Sequence, residues 1–221
     1  MPNIVDPLVG QIAARVRTER ERRRWTLAQL ADASGVSPAM ISRIERGESS
    51  PTAVVLGKLS AAFQLSVSSL LALAEGAHDG TGDETGAEGG LRAEGDALAE
   101  GDILAAHGTA VVRRLADAAE WRDPATGYRR RQITGPRFPV EIAEVRLPAG
   151  ARVPYPAAAF AFLRQVVWVL DGHLTFHEGE TVHELAAGDT IELGRPAPCT
   201  FANDSDAECR YAVVLTRAPR P

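Results

Sequence analysis

Between residues 26 and 46 the apolar positions fall at helical spacing and are interrupted by a glycine. In TLAQLADASGVSPAMISRIER, Leu27, Leu30 and Ala31 form one apolar face, and Ile41 and Ile44 recur three apart on a second. Polar residues mark the ends. Thr26 is placed to N-cap the first helix, and Gln29 to complete a capping box. Ser37 is an N-cap for the second, with Pro38 at its first helical position. Gly35 stands where the chain must reverse, and a positive φ is expected there. Small Ala31 lets the helices approach closely. The spacing predicts two short helices around a tight turn.

Past residue 106 the period changes from helical to alternating. Residues 110–114, 128–133, 140–147, 166–170, 173–176, 190–193 and 209–215 read as short strands. Gly135-Pro136, Pro148-Ala149-Gly150, Asp171-Gly172 and Gly188-Asp189 punctuate them. Many short strands with regular turn signals predict a sandwich or barrel. Residues 75–106 lack a periodic apolar face and are rich in Gly, Ala, Asp and Glu. They read as a flexible linker, with short helical turns open at 91–98. An acidic arm that competes with DNA for a basic face is the alternative.

A helix pair of this kind presents one helix to a DNA groove. It resembles the phage-repressor (Xre/Cro) helix-turn-helix family, over about residues 9–73. The stretch ISRIERGESSP belongs to the resemblance, with the recognition helix ending at Glu45-Arg46-Gly47. The resemblance implies five helices. The first spans about 7–23 with Leu8, Ile12 and Val16 on one face. The fourth follows Pro51 and carries Val54, Val55, Leu59 and Phe63; the fifth starts near Ser66 and carries Val67, Leu70 and Leu71. It implies double-stranded operator DNA as partner. Ser37, Ala39, Met40, Ser42 and Arg43 would face the groove, and the fork of Arg43 matches guanine O6 and N7. Thr26, Leu27 and Ser37 lie at helix N-termini, where backbone N–H groups hold phosphates. The family pattern also pairs Arg20 with Glu45. An ordinary small helical bundle is the alternative.

In the second half, VVWVLDGHLTF and LAAGDTIELGRPAPCTFAN resemble the two sequence motifs of cupins, small double-stranded β-barrels. Many cupins hold a metal with two histidines and a glutamate from the first motif and one histidine from the second. Here residues 151–165 contain no histidine, Gln165 stands at the glutamate position, and Cys199 stands at the second-motif histidine position. An amide and one thiol make a poor divalent-ion site, so neither metal nor cofactor is expected. A pocket lined by Tyr155, Gln165, Trp168, Cys199 and Tyr211 would hold a small organic effector; a barrel filled by Phe160, Phe162 and Trp168 is the alternative.

Charge sharpens the picture. The 221-residue chain carries −5 overall, distributed as +3 over residues 1–74, −8 over 75–102 and zero over 103–221. The positive segment coincides with the expected DNA reader. No apolar run is long enough for a membrane span, and the start MPNIVDPLVG does not read as a secretory signal. Two cysteines without CxxC spacing suggest no disulfide framework or zinc finger. A cytoplasmic protein is expected. Lys58 is followed by Leu59, so there is no phosphate-binding GK[ST], and neither GxSxG nor HExxH occurs. His173 and His177 should face outward on a strand, and His183 should be half-buried. The run Arg20, Arg22, Arg23 and Arg24 reads as phosphate contacts or a solvated helix face. Arg129 and Arg131 share one strand face, where a surface role is expected.

The expectation is an α + β two-domain chain. Residues 1–74 form a five-helix repressor-like domain, 75–106 an acidic Gly-rich linker, and 107–221 a cupin-like double-stranded β-barrel. Its function would be sequence-specific transcriptional regulation, with the barrel sensing a small molecule or dimerising, and no catalytic residues. The rival is a cupin enzyme, a small-molecule dioxygenase or isomerase, fused to a DNA-binding domain. A homodimer is expected, because one helix-turn-helix reads only a few base pairs.

Overall fold

The computed structural model describes residues 7–75, 112–135 and 138–218. The expected linker, with its helical turns at 91–98, lies outside the described residues except for Glu75. Five helices come first: α1 (Pro7–Arg22), α2 (Leu27–Ser34), α3 (Pro38–Glu45), α4 (Ala53–Phe63) and α5 (Val67–Glu75). The caps lie where the sequence places them. Thr26 Oγ1 accepts from Gln29 N at 3.2 Å while Gln29 Oε1 accepts from Thr26 N at 2.8 Å, a complete capping box. Gly35 sits at φ 65° and its N–H closes α2 on Ala31 O at 2.8 Å. A Cβ there would cost backbone energy at that φ. Ser37 accepts from Met40 N, and Pro38 opens α3.

Ile12, Val16, Leu30, Ile41, Ile44, Leu56, Leu59, Phe63, Leu70 and Leu71 are fully buried and make the helical core. Burial of each such side chain is worth about 1.5–3 kcal/mol. Truncating Ile41 or Ile44 to Ala would cost about 2–5 kcal/mol, because the cavity adds to the lost burial.

The second half folds as two antiparallel sheets. The larger orders β1 (Glu120–Arg122), β2 (Arg129–Gln132), β3 (Glu141–Leu147), β10 (Cys209–Arg217), β5 (Leu163–Asp171) and β8 (Thr190–Glu192). The smaller orders β4 (Arg152–Tyr155), β9 (Cys199–Ala202), β6 (His173–Glu178) and β7 (Thr181–Ala186). From β3 onward, β3-β10-β5-β8 faces β4-β9-β6-β7. That is the two-Greek-key order of an eight-stranded jelly roll, the architecture of cupins. The β1-β2 hairpin extends the larger sheet.

Six of the seven expected strands exist. The exception is 110–114: residues 112–114 are not in a strand, and 110–111 lie outside the described residues. The sequence pattern did not pick out β1, β4, β7 or β9. β4 contains Pro154, a strand-breaking signal that is tolerated because β4 pairs only with β9 at the sheet edge. In β7 no residue is fully buried, so its alternation is muted.

The helices do not stand apart from the barrel. Ala53 N, at the start of α4, donates to Asp123 Oδ1 at 3.2 Å. Asp123 is buried and also accepts from Ala125 N, Thr126 N and Thr126 Oγ1. At the start of α5, the hydroxyls of Ser66 and Ser69 both donate to Glu141 of β3. A carboxylate from the barrel thus meets the N-terminus of each helix, where the unpaired N–H groups and the dipole favour negative charge. Between them Gly57 packs on the ring of Tyr155; an added Cβ would lie 2.8 Å from Tyr155 Cδ1.

Candidate functional site

Two sites emerge, one on each half. The first is the exposed side of α3. Ser37, Ala39 and Arg43 are exposed, and Met40 and Ser42 are half-buried, while Ile41 and Ile44 face inward. At the neighbouring helix start, Thr26 is exposed and Leu27 half-buried. The residues read as DNA contacts are therefore exposed or half-buried, and none is in the core. Two arginines near the end of α3 differ in availability. Arg46 is held by Glu48 through two bonds, 2.6 and 2.8 Å, and also donates to Ser42 Oγ. Arg43 has no ion-pair partner among the described residues, so its fork is free to meet a base edge.

The recognition helix is anchored from behind. Arg20 of α1 donates to both oxygens of Glu45, Nε to Oε1 at 2.7 Å and Nη2 to Oε2 at 2.9 Å. Its Nη1 reaches Trp25 O at 3.0 Å. This is the pair the family pattern implied, and both side chains are largely buried, at 14% and 8% exposure. A bidentate fork fixes orientation as well as distance.

The remaining arginines of the Arg20–Arg24 run divide. Arg23 folds back on the protein: it donates to Glu19 and to Phe63 O, and lies over the Phe63 ring with 5.0 Å to its centroid. Arg20 and Arg23 therefore serve the fold, which corrects the reading of the whole run as a phosphate-contacting or solvated face. Arg22 and Arg24 remain exposed.

The second site is a cavity of about 40 Å³ inside the barrel, at the end covered by the helices. That is room for about three waters. Tyr155, Gln165 and Tyr211 line it, as do Tyr128, Arg130, Phe160, Leu163 and Phe201. Ser66 and Val67 of the helical half complete its wall. Burial drives the phenols of Tyr155 and Tyr211 well above their ordinary pKa, so they remain hydrogen-bond donors.

Trp168 and Cys199 are not on the cavity. Trp168 lies on β5 one residue from Val167 and Val169, which point into the barrel, so its side chain points out and is 48% exposed. The expectation that it lines or fills the interior is corrected by strand parity. Phe162, also expected as filler, is half-buried. Cys199 is buried on β9 but is absent from the cavity wall. His173 is exposed and His177 half-buried. His183 is half-buried and stacks on Phe176 at 6.2 Å.

Arg130 was not singled out by the sequence, although its neighbours carried the signal. If Arg129 and Arg131 face out, Arg130 must face in. Arg129 pairs with Glu208, and Arg131 with Glu144. Arg130 is 6% exposed and donates to Tyr128 Oη at 3.1 Å and to Ser68 Oγ of α5. Beside it, Gln132 Nε2 donates to Ser68 O at 2.7 Å. The residues lining the cavity include no histidine, carboxylate or thiol, and they include a guanidinium. That donor set does not fit the divalent metal of many cupins.

Residues 16–70 match a helix-turn-helix family model, HTH_3. The HTH-type transcriptional regulator SutR of Escherichia coli is 36% identical over 67 residues, covering 30% of this chain and 38% of that protein. A competence pilus inhibition repressor of Acinetobacter baylyi is 42% identical over 64 residues, covering 29% and 58%. The chain thus spans between about two-fifths and three-fifths of the curated relatives it matches. The crystal structure of an HTH_3 family transcriptional regulator from Vibrio cholerae superposes with TM-score 0.66 at 21% identity, covering 97% of this chain and all of that one. The fold is therefore shared across both halves.

Proposed function

We propose that this chain is a sequence-specific DNA-binding transcriptional regulator whose barrel senses a small molecule. The observation that carries the reading is the exposed face of α3. Arg43 has no ion-pair partner there among the described residues, and the helix is fixed to α1 through Arg20 and Glu45. The similarity of residues 16–70 to regulators supports the same reading. Thr26, Leu27, Ser37, Ala39, Met40, Ser42 and Arg43 are the proposed DNA contacts, with Arg43 reading a guanine. Such a protein acts in the compartment that holds the DNA. The rival reading as a cupin enzyme finds no support in the cavity wall, which offers neither a paired acid and base nor a ligand set for a catalytic metal.

The test is binding-site selection from a random duplex pool, followed by titration of the selected site. Arg43→Ala should lose about 1–3 kcal/mol on that site and relax preference at one base pair. Equal affinity of Arg43→Ala and the parent on every duplex would remove the assignment.

A further inference from the structure

Arg130 is a buried cation whose charge the fold does not balance. Its two flanking arginines carry ion pairs with Glu208 and Glu144, whereas Arg130 has none among the described residues. Its hydrogen-bond acceptors, Tyr128 Oη and Ser68 Oγ, are neutral, and its Nε has no partner among the described residues. A guanidinium cannot shed its proton to escape burial. An unpaired charge at 6% exposure is costly to the fold. Its position on the wall of a cavity points to a missing counter-charge.

The rest of the wall sets the chemistry of that counter-charge. One guanidinium matches one negative charge, and its planar fork matches a carboxylate. Neutral donors stand around it: the Gln165 amide and the phenols of Tyr155 and Tyr211. Ser66 and Tyr128 are the other polar wall residues, and the rest are apolar, among them Val67, Leu163 and Phe201. The cavity, about 40 Å³, admits only a few heavy atoms.

We propose that this cavity binds a small monocarboxylate, and that Arg130 pairs with the carboxylate in place of Ser68. The inference deepens the regulator reading and rests on it for its consequence at DNA, though not for the binding itself. Ser68 is fully buried on α5 and is held from the barrel by both Arg130 and Gln132. A carboxylate that takes the fork loosens one of those two ties. α5 packs against α1, and Arg20 of α1 holds Glu45 of the recognition helix. Packed helices of this kind carry a displacement between sites because they shift as units.

The test uses the full chain at pH 7, titrated calorimetrically with acetate, propionate and butyrate. Propionamide and inorganic phosphate serve as controls. At least one of the three carboxylates should bind once per chain and raise Tm, while both controls should not. Arg130→Met should weaken that binding by about tenfold or more, the scale of a lost charge-assisted pair. Should Arg130→Met fail to fold, the comparison of propionate with propionamide on the parent decides alone. Ser68→Ala should bind the carboxylate as tightly as the parent or tighter, yet lose the ligand-induced change in DNA affinity. The proposal is overturned if none of the three carboxylates binds, if propionamide binds equally, or if folded Arg130→Met binds unchanged. Those outcomes leave Arg43-dependent DNA binding intact, so they are distinct from failure of the regulator reading.

Discussion

Burial sets the chemistry of both thiols. It pushes Cys199 up to about 12, with Glu178 adding to the rise. It pushes Cys209 up to about 11, with Asp171 and Glu208 adding. Because the thiolate is the nucleophile, both should be inert near neutral pH. Iodoacetamide at pH 8 should leave the native protein essentially unmodified by mass and should label both cysteines once guanidinium unfolds it. Labelling of the native protein at the rate of free cysteine would refute this. The same reasoning separates Trp168 from the cavity. Its ring points outward from β5, so Trp168→Ala should leave binding of the test carboxylates unchanged.

Among the elements, α3 and α4 carry opposite lessons. The Arg20–Glu45 clamp is largely buried, so removing one partner strands the other charge. Arg20→Ala should cost about 3–5 kcal/mol in denaturant unfolding. Arg20→Lys should recover part of this, because it restores the charge but not the two-point fork. Equal stability of Arg20→Ala and the parent would show that the pair is solvated in solution. In α4 the helix interior contains Gly57, about 1 kcal/mol worse than alanine by propensity. Packing overrides propensity there, because Tyr155 occupies the space of a Cβ. Tyr155 is itself packed against Phe160 and Phe201, at 6.1 and 5.9 Å between ring centroids. Gly57→Val should therefore lower stability by about 1–3 kcal/mol, as overpacking does. A higher Tm for Gly57→Val would mean that propensity outweighs the contact.

The two positions also show what a sequence reveals. Caps, the Gly35 turn and the Arg20–Glu45 pair were legible because local chemistry and family spacing fix them within a few dozen residues. The role of Gly57 depends on Tyr155, nearly a hundred residues away, and nothing local announces it. Arg130 lies between these cases. Alternation alone assigns it a face, but only the closed barrel makes that face the interior.

A single recognition helix contacts too few base pairs to select a site in a genome. Two-fold pairing on a palindrome doubles those contacts, and we expect a homodimer. Light scattering at micromolar concentration should give twice the chain mass of 23.5 kDa. The chain mass itself, both with and without the selected duplex, would refute the dimer.

The seating of α4 and α5 on Asp123 and Glu141 bears on how this chain can be divided. Its composition invites separation near residue 106, as though reader and barrel were interchangeable cassettes. A fragment cut there would keep Asp123 and Glu141 without the helix starts that receive them. It would also open Tyr155, Phe160 and Leu163 to solvent where Gly57, Ser66 and Val67 now stand. Exposed aromatic surface of that kind favours aggregation. A change of DNA specificity should therefore keep all five helices on the barrel and exchange only the exposed residues of α3, because α4 and α5 share one core with α1, α2 and α3.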